Sequence, residues 1–191
     1  ETSIFSDIIN KTIFAVSKDE LKPALSGVLF QIKNNSILSV STDGHRLVKY
    51  KRHGLNINID RDVIIPKKFL SLISSNISQT ENINLYINEN QVMVEVGNDV
   101  FYSSVIDERF PDFESVIPKN NDKELIVNRL ELLSTVKRVS VLSNKTTRQI
   151  ALNLAKDNIK ITTEDNEKSS KGFENISVSF TGEDLTIGYN A

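Results

Sequence analysis

Apolar residues at helical spacing open the chain. Ile4, Ile8, Ile9, Ile13 and Val16, with Thr12 on the same stripe, predict a helix over residues 3–16. Thr2 or Ser3 can cap it, and Asp7 lies near its positive end. The period then shortens to two. Residues 28–33 and 37–42 read as strands around an Asn34-Asn35 turn, and 46–52 as a third strand after the turn signal Asp43-Gly44. Residues 63–65 form a short apolar strand. Pro66 then takes the first position of a second helix, whose buried face carries Phe69, Leu72, Ile73 and Ile77. Three alternating runs follow, at 83–87, 92–96 and 100–106, with turns at 88–90 and 97–99. Residues 108–124 (ERFPDFESVIPKNNDKE) are rich in proline and charge and read as a linker anchored at its start. A third helix is predicted over 128–143, with Leu130, Leu133 and Val136 inward. Residues 150–155 and 158–163 form a hairpin, the polar run 164–174 is expected to be mobile, and 175–180 with 185–189 form a last strand pair.

The order repeats. The helix, polar loop and two strands that end at Ser41-Thr42-Asp43 recur, at low identity, about 122 residues later and end at Thr163-Glu164-Asp165. Two domains of one type are expected, joined at residues 108–124, the second cut short. Helices mixed with sequential hairpins make the fold class α+β with mainly antiparallel sheet.

Charge and composition narrow the function. The 191 residues carry a net charge of −2, which argues against a generally basic nucleic-acid binder but permits a local basic face. Cysteine is absent, so disulfides and thiolate metal sites are excluded. His45 and His53 are the only histidines, so a zinc site would need several carboxylates. The acids of 163–167 lack the glycine of a calcium loop and read as a solvated turn. No phosphate-binding glycine loop is present, and no metal or cofactor is expected. No apolar run approaches the ~18 residues of a membrane helix, and no signal-like segment opens the chain. The ends at Glu1 and Ala191 look cut.

The stretch Ser41-Thr42-Asp43-Gly44-His45-Arg46-Leu47 concentrates reactive residue types at a tight turn. Asp43 and His45, with Ser41 near, could serve a small hydrolase, although no nucleophile-elbow pattern accompanies them. The plainer reading has Asp43 bonding local backbone N–H groups and Gly44 taking a positive φ.

Several segments in order resemble one family: IFAVSKDELKPALSGVLF, STDGHRLVKY, VIIPKKFL, RFPDFESVIPKNNDK, RVSVLSNKTTRQIALNL and GEDLTIGYNA. They are similar to the bacterial replicative sliding clamps, the beta subunits of DNA polymerase III, over nearly the whole chain. The resemblance implies the DNA-clamp fold, repeated domains of antiparallel sheet with amphipathic helices on the inner face. It implies that residues 1–118 are the middle domain and 119–191 the first part of the third. It further implies a non-enzymatic processivity factor in the bacterial cytoplasm at the nucleoid, a homodimeric ring when full length, with no membrane association. The ring would encircle double-stranded DNA without sequence preference. Through one pocket it would tether the polymerase, clamp-loader subunits and repair proteins by a short linear motif.

By the same resemblance, Leu25, Thr42, Gly44, His45, Arg46, Leu47, Pro111, Ser115 and Val116 would shape the pocket, with the apolar members as floor and the polar ones at the edge. Phe110 and Phe113 would anchor the linker, and a further wall would come from a C-terminal segment beyond this sequence. Lys22, Lys67 and Lys68 would face DNA, and the basic positions Lys137 and Arg138 of the third helix join them, as loose phosphate contacts that permit sliding. Pro23 and Ala24 stand where some family members carry aromatic residues, which puts stacking on DNA in doubt. An interaction module with no DNA role is the remaining alternative.

Overall fold

The computed structural model describes residues 2–55, 57, 59–77 and 82–190, so residues 1 and 191, the outer ends of the two expected domains, lie outside it. The chain divides into two compact units, residues 1–117 and 118–191.

In the first unit, α1 (Thr2–Thr12) buries Phe5, Ile8, Ile9 and Thr12 along one stripe and ends in a 3-10 turn, Ile13–Ala15. The predicted helix thus runs four residues too long at its regular end. The Thr12 hydroxyl turns back onto the Ile8 carbonyl at 2.7 Å, the local competition that loosens a helix terminus. A second 3-10 turn, Pro23–Leu25, leads into β1 (Gly27–Lys33). β1 and β2 (Ser36–Thr42) are joined by Asn34 and Asn35, both at positive φ (48° and 55°), the geometry a two-residue hairpin requires. β3 (Leu47–Arg52) returns along β2, and β4 (Arg61–Pro66) closes the sheet on the other side of β1, giving the order β3-β2-β1-β4, all antiparallel.

Pro66 is the last residue of β4 and the N-cap of α2 (Lys67–Asn76), not its first helical residue. The Lys67 N–H donates to the Ser26 carbonyl (3.2 Å), so the helix starts one residue later than expected. The buried face of α2 is Phe69, Leu70 and Ile73, whereas Leu72 is exposed. β5 (Ile83–Ile87), β6 (Gln91–Val96) and β7 (Asp99–Ser104) form a separate antiparallel sheet, and Val92, Val94 and Val96 of β6 join α1, α2 and the inner face of the first sheet in one core.

The second unit repeats the design. β8 (Glu124–Ile126), missed in the sequence because it is short and set in a charged run, precedes α3 (Arg129–Ser140). Asn128 caps α3 with its side chain, accepting from the Leu130 and Glu131 N–H groups. Two apolar stripes competed on this helix. The one that packs is Leu132, Val136 and Val139 with Thr135, while Leu130 and Leu133, expected inward, are exposed. The core takes the longer stripe. β9 (Gln149–Ala155), β10 (Asn158–Asp165) and β11 (Ser170–Ser177) form a meander. Of the run 164–174, expected to be mobile, residues 164–165 and 170–174 are laddered strand around a turn at 166–169, because backbone pairing needs no apolar side chain. β12 (Ser179–Thr181) pairs with β8, and β13 (Leu185–Asn190) pairs with β9. The expected pairing of these last two strands with each other is therefore replaced. The resulting order β11-β10-β9-β13 copies β3-β2-β1-β4.

Two substitutions test this packing. The Ser39 hydroxyl in β2 is fully buried and meets no hydrogen-bond partner among the described residues. Ser39→Ala is expected to raise thermal stability, since an unsatisfied buried hydroxyl costs about 1–3 kcal/mol. At Gly27 an added Cβ would meet the Ile65 carbonyl at 2.6 Å and the Ile64 side chain at 2.8 Å. Gly27→Ala is therefore expected to cost about 1–3 kcal/mol in denaturant unfolding, the usual penalty of overpacking.

Candidate functional site

Alternation along the strands gives the first sheet two different faces. Val28, Phe30 and Ile32 of β1 face the helices. Leu29 points the other way, into a second apolar cluster with Val40, Ile64 and Phe113. The strand registers place Ile64, Leu29, Val40 and Lys49 side by side, one from each of the four strands. Phe113, from the segment after β7, is buried in this cluster, and Ala24, Leu38, Leu47, Ile106, Phe110 and Ile117 pack at its margin. The rings of Phe110 and Phe113 meet edge to face, 6.4 Å apart. The linker expected from the sequence is thus anchored at its start, as its two phenylalanines predicted.

The turn between β2 and β3 stands at the edge of this face. One Asp43 carboxylate oxygen accepts the N–H groups of His45 and Arg46, both at 3.0 Å. The other accepts from Arg46 Nε at 3.0 Å. Thr42 Oγ1 donates to the Arg46 carbonyl at 2.8 Å and accepts from the Gly44 N–H at 3.1 Å. Gly44 takes φ 90°, a conformation other L-residues resist. Ser41, on the opposite face of β2, is buried and donates to the Thr12 carbonyl at 2.6 Å, fastening the base of the hairpin to the end of the first helix. Partial desolvation pushes the Asp43 carboxyl upward, but the two backbone N–H donors and the Arg46 guanidinium together outweigh it. The pKa falls from 3.8 to about 2.

The nine expected pocket residues divide. Thr42 and Leu47 are cross-strand partners, and Leu47 belongs to the Phe113 cluster. Leu25 is buried, and its carbonyl accepts from the Ser17 N–H at 2.9 Å, while its neighbour Ala24 touches the cluster. Gly44, His45 and Arg46 are exposed on the turn, with the Arg46 guanidinium bent back onto Asp43 and 6.0 Å from the centroid of the Phe14 ring. Pro111 lines a depression of about 680 Å³ together with Leu29, Ile64, Phe110 and Phe113 of the cluster and the polar Arg61 and Asp62, away from Thr42 and Leu47. Ser115 bonds the Asp112 carbonyl at 2.8 Å, and Val116 is 68% exposed, outside the cluster. Sequence reasoning missed Lys49 and Glu114, an ion pair between β3 and the linker. The period of two places Lys49 on the face of Leu47, but nothing local names Glu114 as its partner.

The hydrolase reading finds no geometry. Both Asp43 oxygens are occupied by the turn's own donors, and His45 meets that carboxylate through its backbone N–H. Among the described residues no group of three or more His, Cys, Asp or Glu could hold a metal, and no helix is long and apolar enough to cross a membrane.

The expected basic residues also differ in state. Lys18, Lys67 and Lys68 line a shallow depression of about 420 Å³ with Asp19 and Glu20. Lys22 is paired with Asp19 at 3.6 Å. In the second unit Lys137 is exposed. Arg138 is held in a forked pair with Glu174 (2.8 and 2.7 Å) and bonds Thr135 at 3.0 Å.

The Asp43 turn carries a pH prediction. A carboxyl depressed in the folded state adds stability that is complete above about 3.8 and is lost as pH falls through about 2. A carboxyl-carbon NMR titration is expected to place the Asp43 midpoint at about 2. Arg46→Met should move it upward without restoring the ordinary value, because the backbone donors remain.

Residues 1–112 match the family model of the DNA polymerase III beta subunit, central domain, and residues 114–191 that of its C-terminal domain. A curated relative from Pseudomonas putida, "Beta sliding clamp", is 32% identical over all of this chain and 52% of its own length. One of the same name from Bacillus subtilis is 31% identical over 99% of this chain and 51% of its own. The crystal structure of the DNA polymerase sliding clamp from Bacillus subtilis superposes with a TM-score of 0.93 at 31% identity, covering 99% of this chain and 51% of that one. A sliding clamp from Pseudomonas aeruginosa bound to griselimycin gives 0.90 at 27% identity, covering 99% and 52%. The chain therefore spans about half the length of the curated relatives it matches. With both of its units matched to consecutive domains of one subunit, the chain belongs to the DNA polymerase III beta subunit family.

Proposed function

We propose that this chain is part of a DNA sliding clamp, a ring that encircles duplex DNA and tethers replication and repair proteins without itself catalysing a reaction. In this reading residues 1–118 are the middle domain and 119–191 the first part of the third, and the full protein closes as a homodimer in the bacterial cytoplasm. The bacterial relatives named beta sliding clamp support it. The observation that supports the docking function is the margin of the buried cluster Leu29, Val40, Ile64 and Phe113, where half-buried Leu47 and the exposed tip of the Asp43 turn stand beside the linker. A short peptide with paired apolar side chains would seat against Leu25, Leu47, Pro111 and Val116. Thr42, Gly44, His45, Arg46 and Ser115 would offer directional contacts at the rim.

Lys22, Lys67, Lys68, Lys137 and Arg138 are proposed to face the DNA backbone. Lys67 and Lys68 are the strongest of these, since Lys22 and Arg138 must first release Asp19 and Glu174. Contacts of this kind are sequence-independent and weaken with salt through counterion release.

Calorimetric titration with the pentapeptide Gln-Leu-Ser-Leu-Phe tests the docking site. Leu47→Ala is expected to weaken binding at least about tenfold, as truncation of a buried anchor does. No binding by the unaltered chain, or binding indifferent to Leu47→Ala, would sink the pocket. For DNA, the double change Lys67→Ala with Lys68→Ala should lower the slope of log affinity against log salt by roughly 1–2. An unchanged slope would remove these lysines from the interface.

A further inference from the structure

We propose that Lys49 and Glu114 form a clasp that fixes the linker against the sheet and so sets the spacing of the docking groove. This rests on the docking reading above and adds to it a positioning pair.

Lys49 is the one charged member of the row Ile64, Leu29, Val40, Lys49. Its side chain must therefore leave the apolar face at the row's end. It does so toward the linker, where its ammonium makes two contacts, an ion pair with the Glu114 carboxylate and a seat 5.8 Å from the centroid of the Phe113 ring. Phe113 is buried in the cluster, so a cation above its ring is held by the ring quadrupole as well as by Glu114. These contacts tie adjacent linker residues to a strand position two residues beyond Leu47.

The consequence is geometric. In the docking reading Leu47 lies on one side of the peptide and Pro111, Ser115 and Val116 on the other. Beyond Phe110 and Phe113, which sit under the linker, and Ile117 at its end, the clasp is a link between the two sides. Ser115 and Val116 directly follow Glu114 and are exposed, so their placement depends on what precedes them. Lys49 and Glu114 touch no docked side chain in this scheme. They act through Phe113 and the backbone.

The pair is partly open to solvent, with side chains 37% and 53% exposed. It is therefore sensitive to salt, and its contribution to global stability is small. That combination separates a positioning role from a structural one.

The test uses the whole chain and the pentapeptide Gln-Leu-Ser-Leu-Phe. Lys49→Met and Glu114→Gln are each expected to weaken binding about two- to fivefold, the range of an exposed ion pair, with the melting temperature nearly unchanged. The charge swap Lys49→Glu with Glu114→Lys is expected to recover most of the loss. Affinity of the unaltered chain should fall with added salt more than that of Lys49→Met. Single variants that bind as tightly as the unaltered chain, or a folded swap that recovers nothing, would overturn the proposal. Absence of peptide binding by the unaltered chain would count against the docking reading itself. Amide exchange at Ser115, Val116 and Ile117 then still decides on the clasp. Faster exchange in Lys49→Met supports it, and unchanged exchange overturns it.

Discussion

The first unit depends on one demand: β1 must be covered on both faces. Val28, Phe30 and Ile32 are satisfied by α1 and α2. Leu29, Val40 and Ile64 on the reverse face cannot be reached by either helix, yet all three are buried. The covering comes from a loop, which is an unusual source, since loops normally run over polar surface. Phe113 and its neighbours make the loop apolar enough to serve. Thr42, Leu47 and the Asp43 turn stand at the margin of the cluster that this loop covers.

The second unit shows what happens when the demand is absent. Its sheet has the same strand order, and the row equivalent to Ile64, Leu29, Val40 and Lys49 is Gly188, Ala151, Thr162 and Phe173. Only the last is large, and it is exposed, with Lys160 Nζ 4.6 Å from its centroid. A face of small and polar residues needs no apolar lid. One bond of the turn recurs. Asp165 occupies the place of Asp43 and accepts the Glu167 N–H at 3.1 Å, as Asp43 accepts that of His45. The repeated domain thus keeps one aspartate-to-backbone bond, although Asp165 lies within β10 and pairs with Ser170, while one face changes character.

Much of this was legible in the sequence, and the failures have physical causes. Strand positions were well marked, because the period of two and the turn residues Asn34-Asn35 and Asp43-Gly44 act locally. Helix phase was read less well. Leu72, Leu130 and Leu133 were placed inward, and a stripe of leucines does not say which of two adjacent faces meets the sheet. Partners distant in sequence were the hardest. Nothing local indicates that β13 returns to β9 or that β12 pairs with β8. At the site, the turn and the anchoring phenylalanines were readable. The Lys49 contact was not, because it joins residues 65 apart.

The bond from Ser41 to the Thr12 carbonyl has a mechanical meaning. Ser41 lies next to the turn, and Thr12 closes the first helix. The bond is buried, so water does not compete for it. A load applied to the exposed turn is therefore shared between the strand ladder and the helix layer behind it. The turn behaves as a riveted bracket rather than a hinged flap, and it presents His45 and Arg46 from a fixed base.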